Sequence, residues 1–142
     1  MTTIRNTVLA SAFLALAACS SMGGMGGGHT SHVTLSGSQE VPPVNTGASG
    51  SADITVGDDG SVSGKITTTG INGVAAHIHQ GAPGANGPVI VPFEKASDGS
   101  WAPKAGSKLN EAQMAAYKAG NTYLNVHSPQ NKGGEIRGQI QP

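Results

Sequence analysis

One cysteine in 142 residues excludes an internal disulfide, so the fold rests on its apolar core or on a bound metal. Aromatic residues are nearly as scarce, with two Phe, two Tyr and one Trp, and Val, Ile, Leu and Ala must do most of the filling. Charged residues make up only 11% of the chain, eight basic against eight acidic. A balance near zero provides no field to attract nucleic acid, which is therefore not expected as a partner. Long hydrophobic runs are missing too. The one candidate, Val8 to Ala18 broken only by Ser11, is too short to span a bilayer and has the length of a signal-peptide core. Neither a nucleophile elbow nor a phosphate cradle is found: the Gly/Pro-rich segment Gly81 to Pro88 does not lead into a helix. The length suits a single domain, and a chain of this size can build an adequate core without staples.

What is present begins with an export signal. Arg5 precedes the apolar run, and the run ends in Leu16-Ala17-Ala18-Cys19, which resembles the lipobox of bacterial lipoproteins. The resemblance implies that residues 1–18 are removed and that Cys19 is lipidated as the new first residue. Ser20 follows it in place of the aspartate that retains lipoproteins in the inner membrane of enteric bacteria. The implied location is the cell envelope, with a lipid anchor in the outer membrane and the domain facing the periplasm. Residues 19–31, rich in Gly and Met, read as a flexible tether, and residues 32–142 as the domain. Met22, Met25, His29 and His32 are suitable copper donors, but in a glycine linker they read as incidental.

From residue 32 the pattern is of short strands separated by turn residues. Val33 to Ser38 starts the series, and Pro42-Pro43 interrupts it. Ala52 to Val56 and Val62 to Thr68 flank Gly57-Asp58-Asp59-Gly60 as a hairpin. Val74 to His79, Val89 to Phe93, Thr122 to His127 and Glu135 to Ile140 complete it. One helix interrupts them: Asn110 caps it, Gln113 completes a capping box, Gly120 closes it, and Met114 and Tyr117 share a face. Seven or so short strands predict an all-β antiparallel sandwich with one short helix.

The chemistry concentrates in two strands. In Ala76-His77-Ile78-His79-Gln80, alternation puts both imidazoles on one face. In Asn121 to Ser128 it puts Tyr123, Asn125 and His127 on one face and Thr122, Leu124 and Val126 on the other. If the strands meet, His77, His79 and His127 form a three-imidazole metal site, suited to copper with zinc as the alternative. The competing reading is three hydrogen-bonded sheet histidines packed against Tyr123 or Glu135. Glu135 and Arg137 alternate outward on the last strand while Ile136 and Ile140 face the core. That pair can orient a histidine or an anion, or form a solvated strand face.

Glu40-Val41-Pro42-Pro43-Val44, Ala76-His77-Ile78-His79 with Gly81-Ala82-Pro83-Gly84 and Asn86-Gly87-Pro88, and Asn125-Val126-His127 with Gly134 to Gly138 together resemble the CHRD domain of chordin and of many exported bacterial proteins. A second resemblance is to the Cu,Zn superoxide dismutases, carried by Gly64 to Gly73 before His77-Ile78-His79, and by Val126-His127, Gly133-Gly134, Arg137 and Gly138-Gln139-Ile140. It implies a Greek-key β-sandwich, copper bound by His77, His79 and His127, and Arg137 near the site as an anion guide. No histidine lies between His79 and His127, so the bridging histidine and zinc subsite of those enzymes have no counterpart. The expectation is thus a metal-binding envelope protein, copper-handling rather than catalytic. A metal-free adhesion or interaction module is the alternative, and a dismutase-like enzyme a minor one. No particular protein partner is implied.

Overall fold

The computed structural model describes residues 27–142. The signal segment, Cys19, Met22 and Met25 lie outside the described residues. Eight strands, one α-helix and a short 3-10 helix lie in the described residues: β1 (Gly28–Ser36), the 3-10 helix (Gly37–Gln39), β2 (Ser49–Gly57), β3 (Val62–Thr69), β4 (Ala75–Gln80), β5 (Val89–Ser97), β6 (Ser100–Pro103), α1 (Glu111–Lys118), β7 (Thr122–His127) and β8 (Ile136–Ile140). All pairings are antiparallel, in the order β1-β2-β3-β6-β5-β4-β7-β8.

The sheet does not split into the two layers of a sandwich. Its ends meet where Ser36 of β1 pairs with Arg137 of β8, and the eight strands form a closed barrel. Alternation fits both architectures equally, because each has one apolar face turned inward. Closure is a matter of which end strands meet, and the local pattern does not encode that.

Strand β1 begins at Gly28, so Gly28 to Ser31, expected in the tether, pair with Gly57 to Ile54 of β2. Strand β6 has no counterpart in the sequence reading. It is four residues long and ends in Pro103, too short for alternation to register, and it is placed by pairing with Lys95 and Ile66 through Trp101. The Gly57–Gly60 turn and the helix form as their sequences require. Gly60 sits at φ +86°, a left-handed conformation that suits glycine. Asn110 Oδ1 accepts from the Gln113 N–H and Gln113 Oε1 accepts from the Asn110 N–H, both at 2.9 Å, and Tyr117 is buried.

The core is aliphatic, as the shortage of aromatics requires. Leu35, Ile54, Ile66, Ala76, Leu124, Val126 and Ile136 are fully buried inside the barrel, each such large side chain contributing about 1.5–3 kcal/mol relative to exposure. Ala76 and Ile78 of β4 and Leu124 and Val126 of β7 face this core. The same alternation turns His77, His79, Tyr123, Asn125 and His127 to the outside of the barrel wall.

Candidate metal centre

Neighbouring strands bring the histidines together. In the β4–β7 register, Ala75 pairs with His127, His77 with Asn125 and His79 with Tyr123, so His127 is diagonal to His77 across the strand pair. His77 Nδ1 lies 2.9 Å from His127 Nε2. One nitrogen from each of the three rings falls within 4.8 Å of the others.

Hydrogen bonds fix which nitrogens face inward. A carbonyl oxygen only accepts, so His79 Nδ1–H donates to Gly87 O and His127 Nδ1–H donates to Lys132 O, each at 2.9 Å. Their Nε2 atoms are therefore the lone-pair nitrogens, and the proton between His77 and His127 belongs to His77 Nδ1. His79 Nε2 is buried without a well-formed hydrogen bond among the described residues, with the Asn125 side chain as its polar neighbour. An orphaned lone pair of this kind is costly unless something electrophilic meets it. Anchoring the far nitrogen of a ligating imidazole on a carbonyl is the usual way of presenting the near one to a metal. Tetrahedral ligands at about 2.0–2.1 Å from zinc stand about 3.4 Å apart. The observed separations, from 2.9 Å to within 4.8 Å, bracket that spacing. The three residues fit a transition metal once the His77 ring proton moves from Nδ1 to Nε2, which frees Nδ1 as a neutral donor.

Burial favours the neutral form of His77 and His79. Burial, followed by the neighbouring His127 and His79, pushes the His77 pKa down to about 4, and burial pulls His79 down as well. Neutral imidazole is the form a metal binds.

The two residues expected to support the histidines have different placements. Glu135 accepts from Thr46 Oγ1 at 2.7 Å, and the Ser128 and Thr46 hydroxyls hold its carboxyl below the usual range. Its side-chain partners, these hydroxyls and Asn131, include no imidazole. Arg137 is buried, 2% exposed, and its Nη atoms donate to Ala85 O (2.9 Å), Asn86 Oδ1 (3.1 Å) and Ala82 O (3.4 Å). Its guanidinium carbon sits 3.5 Å from the centre of the Tyr123 ring, and that ring is stacked on His79 at 4.9 Å and 6°. His29 and His32 stand apart from the cluster on β1, where His32 pairs with Asp53.

Several contributors were not singled out from sequence. Gly87 and Lys132 act through backbone carbonyls, which no side-chain pattern announces. Tyr123 and Asn125 were placed on the histidine face by alternation, and only the stacking shows what Tyr123 does there. Glu40 is 5% exposed; burial raises its pKa to about 7 against the opposing pull of Arg137 and Asn125.

These shifts oppose one another in the metal-free protein. His77, with its pKa lowered from 6.5 to about 4, takes up a proton more readily when unfolded. Its contribution is present above pH 6.5 and is lost as pH falls towards 4. Glu40, raised from 4.5 to about 7, has the opposite sign: its contribution is present below pH 4.5 and is lost as pH rises through 7. Glu40→Gln should therefore give a stability that rises more steeply between pH 4.5 and 6.5 than in the wild type. Urea melts across that range check this, and parallel pH profiles would reject it.

A family model for the CHRD domain matches residues 31–140, which takes in part of β1, all the later strands, the helix and the three histidines. No curated protein and no solved structure matches the chain. With the match covering most of its length, this chain belongs to the CHRD domain family.

Proposed function

We propose that this protein binds a transition metal, copper in preference to zinc, through His77, His79 and His127, and handles that metal in the cell envelope. The observation that carries the reading is the tautomer set of the cluster. Two Nδ1–H groups are tied to carbonyls, leaving two Nε2 lone pairs beside His77 Nδ1, with no carboxylate or thiolate in the group. Three neutral nitrogen donors suit copper and zinc. Copper is favoured by the likeness to the dismutase copper strands, and strand order supports that likeness, since β7-β4-β5-β6 is the spatial order of a Greek key.

A bound copper or zinc supplies a Lewis-acidic centre; the chain's own part is to hold three imidazoles neutral and aimed. Superoxide dismutation is the lesser reading, because the chain has no histidine between His79 and His127 to bridge a second metal. The metal-free interaction module rests on one specific observation, the direct His77–His127 hydrogen bond, which satisfies two rings without an ion. Calorimetric titration of the purified protein with copper(II) and zinc(II) separates the two: one metal per chain supports the site, and no uptake of either favours the module.

The location follows from the lipobox-like Leu16 to Cys19. Expressed with its signal in a bacterial host, the protein should partition into detergent, and Cys19→Ala should release it or block processing. An unmodified Cys19 in the intact mass of the mature chain would refute the anchor.

A further inference from the structure

We propose that Arg137 is a positioning residue for the metal centre: it clamps the Gly81–Pro88 loop so that the loop holds His79 in its metal-facing orientation. The inference rests on the metal-binding reading and adds to it a residue that touches no ligand nitrogen. By the likeness to the dismutases Arg137 would serve incoming anions at the surface, yet it exposes only 2% of its area.

Two routes connect Arg137 to His79. The first runs through the loop. Nη1 and Nη2 of Arg137 reach Asn86 Oδ1, Ala85 O and Ala82 O, and Asn86 Nδ2 ties the same loop to Val41 O at 2.7 Å. Gln139 Nε2, from the same strand, donates to Gly81 O at 3.0 Å. Just beyond these anchors lies Gly87, whose carbonyl accepts from His79 Nδ1 and whose N–H donates to Tyr123 Oη at 3.1 Å. A side chain at Gly87 would put its Cβ 1.7 Å from Gln80 O, so the loop passes here with no space to spare.

The second route runs through Tyr123. Strand β7 lies between β4 and β8, and the Tyr123 ring stands between the imidazole of His79 and the guanidinium of Arg137. A planar guanidinium can stack on the ring and fork to several oxygens at once. A lysine ammonium, a point charge on a flexible stem, can do only part of this. Apart from Asn86 the loop is glycine, proline and alanine, with no other polar side chain to fix its carbonyls, and the buried fork adds that hold.

The test uses Arg137→Lys and, at an exposed position that cannot unsettle the core, Asn86→Ala, which removes one Arg137 acceptor and the Val41 tie. Nitrogen-15 NMR of the metal-free protein reads the tautomers of His79 and His127 separately. Arg137→Lys should leave His79 a mixture of tautomers with a rapidly exchanging ring proton, while His127 keeps its Nδ1–H on Lys132 O. Asn86→Ala should give the same change in smaller measure. General loosening would affect both rings together, and that result overturns the proposal, as does a folded Arg137→Lys in which His79 is unchanged. Should Arg137→Lys not fold, Asn86→Ala decides on the same criterion. Metal titration then reads the consequence, an affinity reduced in Arg137→Lys by up to about 10-fold, the lower end for groups bonded directly to a ligand, because Arg137 acts one step further out. A wild type that takes up neither copper(II) nor zinc(II) overturns the metal reading itself, and the NMR result in metal-free protein keeps that failure distinct from a failure of the clamp.

Discussion

His127→Ala is expected to abolish stoichiometric metal binding, weakening it by more than the roughly 100-fold that marks the upper range for outer partners. The imidazole of His127 is anchored at Lys132 O and meets His77 Nδ1 at 2.9 Å, so its removal leaves two donors on a single strand. His77→Ala and His79→Ala should each cost a similar amount. Double variants should cost scarcely more than singles, because all three residues act on one ion. His29→Ala and His32→Ala, on β1 away from the cluster, should be silent. Saturating metal should raise the wild-type melting temperature, by about 2.7 kcal/mol of stabilisation at a hundredfold excess over Kd, and His127→Ala should lose that increment. Affinity should fall as pH drops through the histidine range, because the metal binds neutral imidazole. Calorimetry with thermal melts checks all of these. A His127→Ala protein that binds as tightly as the wild type would end the three-histidine reading and leave the interaction module.

The largest effect on stability is expected from Leu124→Ala. Leu124 is fully buried in β7, on the inner side of the strand that carries Tyr123, Asn125 and His127 on its outer side. Truncation loses both transfer energy and packing, about 2–5 kcal/mol for a buried leucine. That is a large part of the ~5–15 kcal/mol by which a domain is stable. The melting temperature should fall on the order of 10–20 °C. Buried Trp101 gives the fluorescence signal for the melt. Val89→Ala, at a side chain 48% exposed, is the control and should stay within about 0.5 kcal/mol. Equal losses at both positions would mean that the barrel interior does not carry the fold.

Both predictions rest on features that were legible in the sequence to different degrees. Alternation in Thr122 to His127 was enough to put Leu124 and His127 on opposite faces, because a strand has a period of two; that Leu124 faces the core came with the fold. The capping box at Asn110 and the glycine turn before β3 were equally plain, since each is built from neighbours a few residues apart. Strand β6 was invisible, being held in place by Trp101 and its partners on β3 and β5. The early start of β1 was hidden by glycine and histidine residues that suggest a linker, until β2 pairs with them.

At the centre the donors can be read from the chain: three histidines, two of them two residues apart on one strand face, and motifs that resemble the CHRD domain. The rest came from the folded arrangement. It set β7 beside β4 in the register that brings His127 to His77, closed the sheet into a barrel, and buried Arg137 beneath a loop whose carbonyl holds His79. The division has a physical reason. Which face a side chain takes is set within its own strand, whereas the distance between two strands far apart in the chain, and the backbone carbonyls that orient a ring, depend on pairings that close long loops.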